Sequence, residues 1–390
     1  MMAEPMTVAT GSRPAGRVAG AADMLLPWLL WLLLLTIPFS EALKNILFGL
    51  TALAWLLARG WQTPAGPLRW LGYLVMVAVL SAVSALSPRE ALNGAFDCLR
   101  IFLCGLCALR VAANERRAVA TLAVAAAGTA AAAAWAMFSV KMGWLNFGSA
   151  GLKVMSLGFA NHSATYLLLA TLAALTLLPR GGRMGWLAAA ALLPLLAGLW
   201  LTSSRGAWVA AVLVLLLFLL RHATRRICLT IGVIAIVMVP VVLHSEQALV
   251  QLENFGRGGE VGWRARMWQD CVPVISERLW LGVGARNFKM LDPERYLRVW
   301  AYSDHAHNTL VNLAVELGLA GLACYLGLLA AAIRNSLRLP REWRFLPQGA
   351  VLAMLVAGMA TTTLHTEGGM LFAVLLGTAA ARTAAETPAG

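Results

Sequence analysis

The side chains best suited to chemistry lie together in one short stretch, residues 304–308, which reads DHAHN. The stretch directly precedes a long apolar segment, where ionisable groups cost free energy unless they are paired or functional. An imidazole titrates near neutral pH and can take a proton from a hydroxyl group. We therefore interpret His307 as a candidate catalytic base and His305 as a candidate substrate-binding residue, while a capping or core role for His307 stays open. Asn308 is a further substrate-binding candidate that could instead cap the helix beginning there.

A metal site in this stretch is not expected. Asp304, His305 and His307 could supply ligands, but no further cluster of His or Cys residues completes a site. The chain also contains no D-x-D sequence, so a carboxylate-bound magnesium is not indicated. We expect no metal and no other cofactor, and we expect arginines to neutralise any diphosphate that the protein handles.

Basic side chains elsewhere could meet such an anion. Arg205 lies in LTSSRGAW, a short turn between two apolar segments, and Arg264 and Arg266 open an amphipathic stretch. Arginine binds phosphate through two parallel hydrogen bonds and stays charged. Arg205, Arg264 and Arg266 are therefore candidates to bind a diphosphate, with the choice between Arg264 and Arg266 left open, and Lys153, which flanks another loop, is a substrate-binding candidate. A plain surface role, in which the arginines reach lipid headgroups, is the alternative.

One ion pair is predicted inside an apolar segment. Asp97 and Arg100 are three residues apart and therefore share one face of a helix. They could form a structural pair that neutralises itself, or Arg100 could line a polar cavity and bind substrate, and both interpretations stay open.

The composition identifies the class of protein. Of the 390 residues, 60% are hydrophobic and 13% are charged, and the mean hydropathy is +0.74. A soluble domain is about half apolar and about a quarter charged. This chain instead repeats apolar runs of about 20 residues, the length that crosses a bilayer as a helix. The runs are continuous rather than alternating, which argues against a β-barrel, so the sequence predicts an all-α polytopic membrane protein.

Twelve transmembrane segments are predicted. They are residues 24–39, 43–58, 68–86, 91–109, 118–139, 157–178, 185–201, 206–220, 227–244, 308–333, 346–364 and 368–382. The chain then divides into an N-terminal tail (1–23), nine spans (24–244), a long loop (245–307), three spans (308–382) and a C-terminal tail (383–390). Within the long loop, residues 263–280 predict a helix with a tryptophan-rich apolar face, and LGVGARNF (281–288) predicts a glycine-hinged turn.

The positive charges predict the orientation. With a cytoplasmic N-terminus, 17 of the 31 Lys and Arg residues fall in inside segments and five in short outside loops. This bias indicates that both termini are cytoplasmic and that the long loop is outside. The numerous basic loops suggest a bacterial inner membrane, which makes the outside the periplasm. They also account for most of the net charge of +13, so membrane lipids are the expected partners and nucleic acid is not.

These residues together resemble a known family. His307-Asn308, followed by nine residues and then Gly318-Leu-Ala-Gly321, resembles the signature of the O-antigen ligases. The SRG at 204–206 is similar to an arginine motif of the wider O-antigen ligase/polymerase superfamily, and Arg264, four residues before Trp268, is similar to a second. Asn161 and His162, in GFANHSATYL, lie where the superfamily has an Asn-rich helix start.

The resemblance implies a metal-independent glycosyl transfer. The donor would be O-antigen polysaccharide on undecaprenyl diphosphate, and the acceptor would be a sugar hydroxyl of lipid A–core oligosaccharide. Arg205 and Arg264 would bind the diphosphate, and His307 would accept the acceptor's proton, with inversion at the anomeric carbon. Asn161 and His162 join the substrate-binding candidates.

Three alternatives stay open. Two are sister activities of the superfamily, the O-antigen polymerase and the protein O-oligosaccharyltransferase. The third is a transporter, which twelve spans and the Asp97/Arg100 pair would allow. Transporters place their polar residues near the membrane midplane in repeated halves, whereas here the polar cluster is predicted at one face.

Overall fold

The structure is a computed structural model, and it describes residues 14–143, 151–244, 250, 259–292, 303–364 and 366–384. Within these ranges the chain forms α-helices and short 3-10 turns and no strand. The helices are α1 (Pro14–Thr36), α2 (Glu41–Leu57), α3 (Arg69–Ser81), α4 (Pro88–Val111), α5 (Glu115–Lys141), α6 (Ala160–Leu177), α7 (Gly182–Leu201), α8 (Arg205–His222), α9 (Arg225–Leu243), α10 (Gly259–Glu277), α11 (Thr309–Ser336), α12 (Phe345–Gly358) and α13 (Thr366–Ala384).

The apolar segments form the helices of a polytopic membrane protein. Among the described residues, nine helices are long and apolar enough to cross a membrane. These nine are α1 and α3 to α9 together with α11, some of them extended by a 3-10 turn. Each of the twelve predicted spans coincides with a helix, although α2, α12 and α13 are not among the nine. The all-α fold is therefore confirmed, and twelve crossings stay a prediction.

One boundary prediction was wrong. The span predicted at 346–364 ends as a helix at Gly358, and residues 359–364 form a turn and extended chain. The stretch is apolar and rich in threonine, so its composition gives no sign that the helix ends. In the structure Thr361 to Thr363 are as buried as the helix before them. This non-helical stretch becomes important at the functional site.

The core is deepest around α6. In the apolar segment of Ala160–Arg180, 89% of the residues are buried, far more than in the other candidate spans. Other helices therefore enclose α6. By contrast, only 11% of the residues in the apolar segment of α9 are buried, so this helix lies at the rim of the bundle. The faces that remain exposed carry large apolar side chains, as expected for contact with lipid rather than water.

The predicted helix of the long loop is confirmed as α10. Its buried residues Met267, Cys271 and Val274 pack with Phe288 and with Val315 of α11 in a second apolar cluster. α10 therefore lies over the beginning of α11. Residues 1–13, 245–249, 251–258, 293–302 and 385–390, which belong to the predicted tails and loop, lie outside the described residues.

Candidate active site

The starts of α2, α4, α6, α11 and α13 meet around one polar cavity of about 450 Å³. Because residues from all five helices line this one cavity, the five helix starts lie close together in the bundle. Two segments of the long loop, around residues 285–289 and 304–305, complete the lining. Of the polar residues that the sequence singled out, Arg100, His162, Asp304 and His305 line this cavity.

The backbone of His307 is fixed from both sides. The Trp268 indole donates a hydrogen bond to the Ala306 carbonyl (2.9 Å), and the Ala306 N–H donates to the Asn312 side chain (3.0 Å). On the other side, the Asn308 side chain caps α11 by accepting from the backbone of Leu310 and Val311. His307 between them has φ +50°, a conformation that side-chain-bearing residues rarely adopt. Such strain persists only where neighbouring contacts impose it, and it is typical of functional sites.

The His307 ring is partly buried among aromatic rings. Its centroid lies 4.4 Å from that of His305 and 5.2 Å from that of Trp263. Burial, together with the positive charge of Arg264 and the nearby His162, lowers the pKa of His307 to about 4. Its Nδ1 has no hydrogen-bond partner within the described ranges. At neutral pH the ring is uncharged and can accept a proton.

The two arginine motifs converge on the non-helical stretch after α12. The Arg264 guanidinium donates to the Ala360 carbonyl (2.9 Å). Gly206, the neighbour of Arg205 at the start of α8, packs so closely on Ala360 that an added Cβ would lie 2.4 Å from the Ala360 side chain. Burial also lowers the pKa of Arg264, so its charge is poorly solvated and favours an anionic partner. Thr309 ties the same stretch to α11 through Thr361 and Thr363.

Gly318 forms a break inside α11. Its φ of +64° lies in the left-handed region, and an added Cβ would stand 2.3 Å from the Trp280 backbone. The helix therefore opens at Gly318, and the N–H groups of Leu319 and Ala320 bond to Leu279 and Trp280 instead of the preceding turn. The glycine of the His-Asn-Gly-Gly spacing thus lets the loop after α10 dock into α11, which holds α10 against His307.

Ion pairs line the cavity behind the histidines. Asp97 accepts from Arg286 of the loop (3.2 Å) and lies 3.6 Å from Arg100. The Arg100 guanidinium also lies over the Phe96 ring at 4.6 Å from its centroid. The predicted Asp97/Arg100 pair is therefore present, and both residues line the cavity as well.

The other predicted residues are divided between the cavity and the surface. His162 lines the cavity with its ring centroid 6.3 Å from that of His305, and its neighbour Asn161 is partly buried in the first turn of α6. Lys153 is exposed, with its ammonium 6.0 Å from the Phe159 ring. Arg266 is exposed, although it is only two residues from the partly buried Arg264. No three His, Cys, Asp or Glu side chains of the described segments are placed to hold a metal ion.

Sequence reasoning missed Lys44, Arg286 and Glu316, which all line the cavity. Glu316 of α11 accepts a hydrogen bond from the Phe288 N–H (3.3 Å) and so anchors the loop that carries Arg286. Lys44 is only 2% exposed and bridges Glu41 and Glu367. A lone carboxylate inside a predicted span, as at Glu316, is itself a signal of function or pairing. The pairing of Lys44 left no comparable signal, because Glu367 is more than 300 residues away.

Fold and composition together define a polytopic membrane protein with a polar cavity where several of its helices begin. The family model described as O-antigen ligase matches residues 189–326, which include Arg205, Arg264, His307 and Gly318. This match confirms the resemblance seen in the sequence and supports membership of the O-antigen ligase superfamily. No curated protein matches the chain.

Proposed function

We propose that the protein is an inverting, metal-independent O-antigen ligase. It transfers O-antigen polysaccharide from undecaprenyl diphosphate to a sugar hydroxyl of lipid A–core oligosaccharide. The site faces the periplasm of a bacterial inner membrane, and both termini are cytoplasmic. Twelve helices cross the membrane, and the loop helix α10 lies over the start of α11.

The observation that carries this proposal is the approach of a neutral histidine to two arginine motifs within one buried neighbourhood. His307 is electrostatically coupled to Arg264, which bonds to Ala360, and Gly206 beside Arg205 packs on the same residue. Glycosyl transfer from a diphosphate needs cations for the leaving group and a base for the acceptor. These are the two kinds of group that the site combines.

The transfer step follows from the roles of these residues. The acceptor oxygen attacks the anomeric carbon from the face opposite the diphosphate, and the new glycosidic bond forms as the bond to the phosphate oxygen breaks. That electron pair and the developing charge pass to the diphosphate, which Arg205 and Arg264 stabilise. The hydroxyl proton passes to a ring nitrogen of His307. Holding two lipid-anchored substrates in one plane lowers the barrier further.

An in vitro transfer assay tests the proposal. Purified protein is mixed with undecaprenyl-diphosphate-linked glycan and rough lipopolysaccharide in EDTA, beside the His307→Ala variant. Ligated lipopolysaccharide from the wild type and none from the variant is the expected result. Arg205→Ala and Arg264→Ala should each lower kcat/KM by about 100-fold or more, the usual cost of one charge-stabilising group in a transition state.

The same assay distinguishes the sister activities. An O-antigen polymerase would lengthen the lipid-linked glycan and leave the lipopolysaccharide unchanged. A protein O-oligosaccharyltransferase would modify neither and would need a protein acceptor. Either result with folded, active protein would replace the ligase proposal.

A further inference from the structure

The polar cavity beside His305 has chemistry that differs from that of the arginine motifs. Its lining includes Asp97, Arg100, Arg286 and Lys44, whereas Arg205, Arg264 and His307 do not line it in the described structure. His162 and His305 form its boundary toward His307. The site therefore has two compartments that meet at the histidines.

The charges of the cavity are paired. Lys44 is shared by Glu41 and Glu367, Asp97 faces two arginines, and Lys289 lies 3.0 Å from Glu90 next to the lining. A cavity whose cations are already neutralised gives a diphosphate little net attraction. It does offer many fixed donors and acceptors, which suit a ligand that is neutral and rich in hydroxyl groups.

Two further features fit a sugar ligand. Phe159 is 60% exposed and lies at the cavity with its ring at right angles to that of His162, which provides an apolar face beside the polar groups. The volume of about 450 Å³ is within the range of small-ligand sites. In addition, the buried Nε of Arg100 has no hydrogen-bond partner in the described part of the chain. A buried donor without a partner is costly unless a ligand or water satisfies it.

We infer that this cavity binds the terminal sugar of the acceptor and presents its hydroxyl group to His307. The inference rests on the proposed function, because it assigns the acceptor to one compartment and the donor diphosphate to the other. It concerns residues of α2, α4 and α6 that lie outside the matched family region. Asp97 and Arg100 hydrogen-bond sugar hydroxyls, and Arg286 brings the loop after α10 onto the bound sugar.

Two variants test the cavity by different means. Asp97→Asn removes an acceptor and a charge without changing the shape, and Cys98→Phe places a ring into the cavity without removing a charge. The matched control is Asp23→Asn, which breaks an aspartate–arginine pair with Arg110 (2.8 Å) outside the cavity. All variants are full-length protein in detergent, checked for folding by thermal unfolding.

Two affinities are measured for each protein by titration of tryptophan fluorescence. One probe is deacylated core oligosaccharide from rough lipopolysaccharide, and the other is undecaprenyl diphosphate. We expect both cavity variants to weaken oligosaccharide binding by about tenfold or more: Asp97→Asn because one charge-assisted hydrogen bond is lost, and Cys98→Phe because the ring occupies the space of the sugar. Binding of undecaprenyl diphosphate should not change, and Asp23→Asn should match the wild type for both probes.

Other outcomes overturn the inference. Weaker binding of undecaprenyl diphosphate with unchanged oligosaccharide binding would assign the cavity to the donor. Unchanged binding of both, or an equal loss of both, would make the ion pairs structural. If the wild type transfers glycan and the cavity variants keep full affinity for the acceptor, only the assignment of the cavity is refuted. Wild-type protein that fails to transfer glycan refutes the proposed function itself.

Discussion

The lowered pKa of His307 predicts how the rate of transfer depends on pH. Burial, the charge of Arg264 and the proximity of His162 bring this pKa to about 4, from an ordinary value of 6.5. A general base works only when it is unprotonated. At pH 5 a base with a pKa of about 4 is about 90% unprotonated, whereas one with a pKa of about 6.5 is only about 3% unprotonated. The acid limb of kcat/KM should therefore lie well below pH 6.

The donor should move this limb. A diphosphate next to His307 favours the imidazolium form, so the limb of kcat, which reports the bound enzyme, should lie at higher pH than that of kcat/KM. The assay is the transfer reaction at constant ionic strength between pH 4 and 8, in detergent conditions in which the protein stays folded. The lowering of the His307 pKa from 6.5 to about 4 is equivalent to about 3 kcal/mol at most. Solvent access to the partly exposed ring reduces this figure.

Arg264 provides the control for the cause of the shift. Arg264→Gln removes the neighbouring positive charge, so the pKa of His307 should rise and the acid limb should move toward neutral pH, besides the loss of rate. Arg266→Gln makes the same change on the same helix at an exposed position and should leave the limb in place. A wild-type limb near pH 6.5, or an Arg264→Gln limb identical to that of the wild type, would refute the electrostatic reasoning.

The stability of the folded protein should also decrease as the pH is lowered. The folded-state pKa of His307 is lower than the unfolded value, so folding favours the neutral ring. Its contribution to stability is complete above about pH 6.5 and is lost as the pH falls toward about 4. Lowering the pH from about 6.5 to about 4 should therefore cost the wild type more thermal stability than it costs His307→Gln, which has no titrating ring at this position. Equal losses in the two proteins would mean that the ring is solvated in the folded state.

Three further substitutions test the architecture, with unfolding measured in detergent. Gly318→Ala should destabilise the protein by at least about 1–2 kcal/mol, because the backbone at position 318 is left-handed. Gly232→Ala, in open space on α9, is the control and should be neutral or stabilising. Equal effects of the two substitutions would contradict the helix break at Gly318. Lys44→Met should cost up to about 3–5 kcal/mol because it leaves the largely buried Glu367 carboxylate without its partner, whereas the exposed Glu41 is solvated. Adding Glu367→Gln should restore part of the loss, and no rescue would mean that the bridge is unimportant. Asn308→Ala should cost about 1 kcal/mol as a lost helix cap, and Asn308→Asp should keep both the cap and the activity; an inactive but stable aspartate variant would indicate substrate contact instead.

Much of the fold follows from local patterns in the chain. Continuous apolar runs predict helices wherever they occur, because a backbone in lipid must satisfy its hydrogen bonds internally. The predicted cap at Asn308 is present, since a side-chain oxygen at a helix start has backbone N–H groups within reach whatever the rest of the chain does. Arg264 and Trp268 share a face of α10, because residues four apart lie one turn apart in a helix. The break after Gly358 was missed, because the stretch beyond it is as apolar as a span.

The choice among candidates depended on burial. Arg264 and Arg266 are equivalent in the sequence, two residues apart in one amphipathic stretch. In the structure Arg264 reaches Ala360 and is partly buried, and Arg266 is exposed. Helical spacing says which residues share a face, but it does not say which face meets another segment 96 residues away.

The sequence by itself determined the class of protein, the positions of its helices and the residues around His307 that carry the family resemblance. The tertiary structure alone decided which charges meet: Asp97 with Arg286, 189 residues apart, and Lys44 with Glu367, 323 residues apart. Helix propensity and hydropathy act over a few residues, and the chain records them directly. Ion pairing and pKa values depend on distance and desolvation in three dimensions, which arise only when the helices have packed.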